Sequence, residues 1–194
     1  MSDPIEILDY WLGAVGEKGW FAGGEALDAD ITAKFRDTWA AAHDGGLEHW
    51  AEGAAGTLAY LVICDQMSRN MHRGSALAFA TDARALAAAR RALAEGWDMD
   101  APEPERMFFY LPFEHSEDPA DQALSVAVMT ERLVDPDMAL HARVHQEIIA
   151  RFGRFPYRNA ALGRDSSAEE VAFMTTGGYA AAVERVRASH AGGA

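Results

Sequence analysis

The stretch DPDMALHARVHQEIIARFGRFPYRNAALGR, Asp135 to Arg164, decides how the chain is read. Its first half has the pattern of an amphipathic helix. Asp135 is a capping residue followed by proline at the first helical position. At about 100° per residue, Met138, Val144, Ile148, Ile149 and Phe152 gather on one side, with His141 and His145 in the middle of it. Arg143, Gln146 and Glu147 take the opposite side, and Gly153 stops the helix. The second half has another character. Between Ile148 and Arg164 lie Arg151, Arg154, Arg158 and Arg164 and no acid, in a chain of net charge -13. Phe152, Phe155 and Tyr157 are threaded between these charges.

A counterpart lies upstream. Phe113–Gln122, FEHSEDPADQ, sits at a helix start, with Asp118 as N-cap and Asp121 in the first turn, where a carboxylate suits the helix dipole. Capping leaves Glu114, His115 and Glu117 unexplained. Two carboxylates beside a histidine could do acid–base work if burial raised one pKa. They could equally receive Arg151, Arg154 or Arg158, because bidentate arginine–carboxylate pairs are geometrically natural. The charge arithmetic, four acids against four arginines, predicts that the two blocks meet.

Working outward, helix signals dominate and strand signals are nearly absent. Asp3-Pro4 opens a helix carrying Ile5, Leu8 and Leu12, closed by Gly13 and Gly16, with a loop over 17–27. Asp28 opens a second, with Ile31, Phe35, Thr38 and Trp39 as its stripe and Gly45-Gly46 at its end. A short turn over 47–52 presents Trp50. From about Gly56 a third helix carries Leu58, Leu61 and Val62. Continuing at steps of three and four brings Asp65, Arg69 and Arg73 onto the same face, with Asp65 four before Arg69 in the favourable order for an ion pair. Ser75 to Thr81 reads as a connector, Asp82 to Ala94 as an alanine-rich helix stopped by Gly96. Short helical structure follows Pro102 and Pro104, then helices over 119–133 and 136–152. Ser166 and Glu169 read as a capping box, and a last helix covers Tyr179 to Ser189 before a flexible tail over 190–194.

Seven to nine helices with short connectors predict a single all-α domain over 1–194. At 194 residues the chain is long enough to bury a real core. The negative charge argues against sequence-independent binding to nucleic acid or to anionic membranes. Of the 17 basic residues only Lys18 and Lys34 are lysine; the arginine bias favours ion-pair networks or an anionic ligand and suits a GC-rich genome equally. The lone Cys64 excludes an internal disulfide and reads as a buried, inert thiol. No signal peptide or apolar span is seen, which makes a reduced cytoplasmic location the default.

No P-loop, dinucleotide fingerprint, HExxH or serine elbow occurs, so no cofactor is expected. His141 and His145 at i and i+4 lack a visible third ligand, and hydrogen bonding within the core is preferred to a metal. The candidate binding residues are Asp65, Arg69, Arg73, Glu114, His115, His145, Arg151, Arg154 and Asn159; Glu114, His115 and His145 are the acid–base candidates. They suggest a pocket for a small anionic metabolite, with catalysis left open. The alternative is a module that binds a protein or an acidic peptide, in which the polar cluster is mainly a structural ion-pair network.

The blocks DQMSRNMHRG, FATD, YLPFEHSED and RFGRFPYRN, in this order, resemble the bacterial family known as domain of unknown function 924, over nearly the whole chain. The resemblance implies an α-α superhelix of the tetratricopeptide-like kind. It brings no assigned activity and no catalytic residues. Members of the family often carry histidine where this chain has Tyr157, so an acid–base role at that position would be absent here.

Overall fold

The computed structural model describes residues 1–191. Every regular element among them is helical, as the periodicities predict. The longer helices are α1 (Pro4–Leu8), α2 (Glu25–His43), α3 (Ala54–Leu61), α4 (Asp82–Glu95), α5 (Pro119–Arg132), α6 (Pro136–Phe152), α7 (Ala168–Thr175) and α8 (Gly178–Ala191). The chain divides into two compact units, Met1–Pro112 and Phe113–Ala194. No helix among the described residues is long and apolar enough to cross a membrane.

In the first unit the local signals work where a cap is strong. Asp3 and Glu6 form a reciprocal capping box, with Pro4 at the first position. Two features escape a 3.6-residue reading. Asp9–Val15 and Val62–Met67 are π-helical, so the chain makes wider turns there. The first of them leads through Gly16, at φ 63°, into a further helical segment, Gly16–Trp20, where a loop is predicted. The second extends α3 directly, and the helix then runs on through Ser68–Met71. From Thr57 to Ser68 every residue is buried, so this is a central helix rather than one with a single apolar stripe. Around it lie Ile7, Trp11, Ile31, Phe35, Phe108 and Phe109, all nearly inaccessible. The pair Trp20-Phe21 is split: Trp20 is buried and donates its indole N–H to the Trp11 carbonyl at 2.7 Å, whereas Phe21 is 61% exposed.

In the second unit α6 has the predicted bounds. Asp135 caps its N-terminus, and Gly153 ends it at φ 68°, a left-handed conformation that a side chain would strain. Its inner face, Leu140, Val144, Ile148 and Ile149, packs with Phe155, Phe173, Ala182, Val183 and Val186 into one apolar core. The capping box of α7 lies one residue later than predicted: Ser167 accepts from the Glu170 N–H, and Glu170 reaches back to the Ser167 N–H. α8 continues to Ala191, and the rest of the predicted flexible tail lies outside the described residues.

Candidate functional site

The arginine-rich and carboxylate-rich blocks of the second unit do meet, and Phe155 is where they are joined. Its ring is fully buried in the core. Its N–H donates to Glu117 Oε1 at 2.8 Å, and its carbonyl accepts from Arg164 at 3.2 Å. Arg164 closes the ring with a two-pronged pair to the same Glu117, at 2.7 and 3.0 Å. Burial of Glu117 opposes its ionisation, but the Arg164 hydrogen bond, the Phe155 N–H and the charge of Arg158 outweigh it and hold the carboxyl below its usual range. Arg158 is buried, donates to the His115 carbonyl at 2.9 Å and stacks its guanidinium 4.4 Å over the Phe155 ring.

The pairing differs from the predicted one. Of the arginines offered to Glu114, His115 and Glu117, Arg151 instead pairs with Glu169 at 2.9 Å. Arg154 forks onto Glu170 at 2.7 and 2.8 Å. The sequence placed Glu169 in a helix cap and gave Glu170 no role. Arg154, with the Ser167 N–H, draws the Glu170 carboxyl down to about 2. Asn159 is buried and structural: its Oδ1 accepts from Arg164 at 2.9 Å and its Nδ2 donates to Ser166 at 3.1 Å.

The remaining candidates of this unit form a second cluster built on α6. His145 Nδ1 lies 3.0 Å from the His141 carbonyl and 3.1 Å from Glu114 Oε1. Both neighbours are acceptors, so Nδ1 carries the proton. Burial, reinforced by His115 and Arg158, pushes the imidazole down to about 3, so Glu114 lies beside a neutral ring rather than in an ion pair with it. Aromatic rings surround it. Tyr179 lies at 5.1 Å, Phe155 at 5.4 Å and His115 at 6.2 Å between centroids. Tyr157 stacks on Phe155 and meets Tyr179 edge-on. Tyr179 also hydrogen-bonds His141 Nδ1 at 2.7 Å, and burial, with Glu114 and Tyr157 nearby, raises its phenol pKa. The sequence pointed to His145 and Glu114. It gave no sign of Tyr179, whose partners are distant in the chain.

The other candidates belong to the first unit. Asp65 is buried, takes the Gln66 amide at 2.6 Å and lies 3.5 Å from Arg69. Arg69 forks chiefly onto Asp82, at 2.7 and 2.9 Å, and also donates to the Ala78 carbonyl. Arg73 forks onto Asp28 at 2.7 and 3.0 Å, which with Asn70 holds that carboxyl below its usual range. Cys64 is buried, and burial pushes its thiol pKa up, away from the reactive thiolate.

No group of three or more histidine, cysteine or acidic side chains among the described residues could hold a metal ion. In the second unit an open groove of about 560 Å³ is lined by Gln122, Val126, Arg143, Gln146, Glu147 and Val186, and no candidate residue lines it. The geometry supports a buried network of ion pairs and hydrogen bonds.

No curated protein matches the chain significantly. A solved structure of a protein of unknown function from Agrobacterium tumefaciens is similar to it, with 38% sequence identity, a TM-score of 0.85, and coverage of 90% of this chain and 97% of that one. The family model for bacterial proteins of unknown function, DUF924, matches residues 7–178. Matched over that length, and with the four motif blocks in order, the chain belongs to the DUF924 family.

Proposed function

We propose that the arginine–carboxylate clusters are mainly structural, and that the protein acts as a helical, tetratricopeptide-like module that binds a protein or peptide. One observation carries the structural half. The guanidinium forks that could clamp an anion are already engaged internally: Arg69 on Asp82, Arg73 on Asp28, Arg154 on Glu170 and Arg164 on Glu117. A small anionic metabolite or an acidic peptide would have to displace a bidentate partner whose prongs run from 2.7 to 3.0 Å in these pairs. That costs a charge-assisted hydrogen bond for each one it offers. The binding-module half rests on the helical architecture, an argument by analogy of fold.

The test is a thermal-shift screen of metabolite carboxylates and phosphates at millimolar concentration. A ligand present at 100 times its Kd would stabilise the protein by about 2.7 kcal/mol, a shift easily seen. No saturable shift is expected from any of them, and affinity capture is expected to recover one stoichiometric protein partner. A dose-dependent rise of several degrees, abolished in Arg154→Met, would replace this reading by an anion pocket.

A further inference from the structure

Independently of that reading, one functional group in the second unit is left without work by the structural network. His145 spends Nδ1 on its hydrogen bond to the His141 carbonyl, with Glu114 Oε1 3.1 Å from the same nitrogen. Nε2, on the other edge of the ring, has no hydrogen-bond partner. It is also not among the buried, partnerless polar atoms of the described residues, unlike Nε2 of His72. The His145 side chain keeps 12% of its surface, and Nε2 is not fully covered. Its surroundings are aromatic. Tyr179 comes from α8, Phe155 and Tyr157 come from the turn after α6, and Tyr157 is 37% exposed.

We propose that this cluster is a binding site for an uncharged, planar aromatic molecule carrying an O–H or N–H, which stacks among Tyr157 and Tyr179 and donates its hydrogen bond to His145 Nε2. Each part follows from a contact. The His141 carbonyl and the Glu114 carboxylate are both acceptors beside Nδ1, which fixes the tautomer that leaves Nε2 as acceptor. Aromatic walls favour a planar face over an aliphatic one. The charges facing the ring argue for a neutral guest. Glu114 at 3.1 Å disfavours an anion. Arg158 and His115, which help to keep His145 unprotonated, disfavour a cation. The remaining titratable neighbours, His141 and Tyr179, are tied to each other.

The probe is phenol, added to the full-length, ¹⁵N-labelled chain while long-range proton–nitrogen correlations of the imidazoles are recorded. Without phenol, His145 is expected as the Nδ1–H tautomer, with no change between pH 8 and pH 5. Phenol is expected to move its Nε2 resonance saturably and to leave the resonances of His43 and His49 in place. His145→Gln removes the acceptor. Because that site is largely buried, Tyr157→Ala provides a second variant at an exposed wall, expected to weaken phenol at least tenfold with an unchanged circular dichroism spectrum. An Nε2–H tautomer, a protonated ring at pH 7, or the absence of any saturable shift would each overturn the proposal. So would equal phenol affinity in Tyr157→Ala. None of these outcomes bears on whether the arginine forks are structural, which the anion screen decides.

Discussion

Phe155→Ala is expected to lower the stability of the second unit by about 3–5 kcal/mol, the range for deleting a fully buried phenylalanine from a packed core. The ring has no exposed surface and packs with Val144, Ile148 and Phe173 in the core. It also backs His145 and carries the Arg158 guanidinium on its face. Truncation therefore opens a cavity and removes the surface on which a buried arginine rests, two losses whose effects add in the same direction. Urea unfolding followed by far-ultraviolet circular dichroism or amide exchange measures it. A cost below about 1 kcal/mol would mean that the site collapses freely and is not the joint described here.

Arg69→Met is the corresponding test in the first unit, with an expected loss of about 3 kcal/mol, the lower end for breaking a buried pair because Arg69 and Asp82 keep some exposure. The substitution keeps the aliphatic stem of the side chain and removes the guanidinium, with its fork and its stacking over Phe79. It strands charge near Asp65, which is almost fully buried, and unpins the start of α4 from the 76–79 turn. Tryptophan fluorescence isolates this unit, since Trp11, Trp20, Trp39, Trp50 and Trp97 all precede Pro112 and are the 5 tryptophans of the chain. An unchanged fluorescence midpoint would show the Asp65–Arg69–Asp82 chain to be ornamental.

What could be read in the sequence, and what could not, follows from the range of each signal. Helix α6 was legible to the residue because both ends carry local chemistry, a capping Asp135 with Pro136 and a left-handed Gly153. The start of α7 was ambiguous because SSAEE offers two registers of the same box. The structure selects Ser167 with Glu170, since Glu170 is also the partner of Arg154 and Ser166 is taken by Asn159. The face assigned to Asp65, Arg69 and Arg73 was extrapolated at 3.6 residues per turn through a stretch that is π-helical, Val62–Met67. No composition rule announces a π turn, and the three side chains go to different partners, with Arg73 more than half exposed.

The encounter of the two charged blocks was visible because an acid-free, arginine-rich segment stands out in an acidic chain. The individual pairs were not. Charge counting is indifferent to which acid an arginine takes, and Glu169 had already been assigned to a helix cap. His145 lay between the two kinds of signal. Its position on the apolar side of α6 marked it as buried, but its tautomer depends on a carbonyl one turn back and on a carboxylate thirty-one residues upstream.

The most direct test of the account is a double-mutant cycle on Glu117 and Arg164. Urea unfolding of the wild type, Glu117→Gln, Arg164→Met and the double variant yields their coupling energy, and a pair that fastens the two blocks through Phe155 predicts about 2 kcal/mol. Additivity within about 0.5 kcal/mol would contradict it, and would show that this pair does not fasten the two blocks.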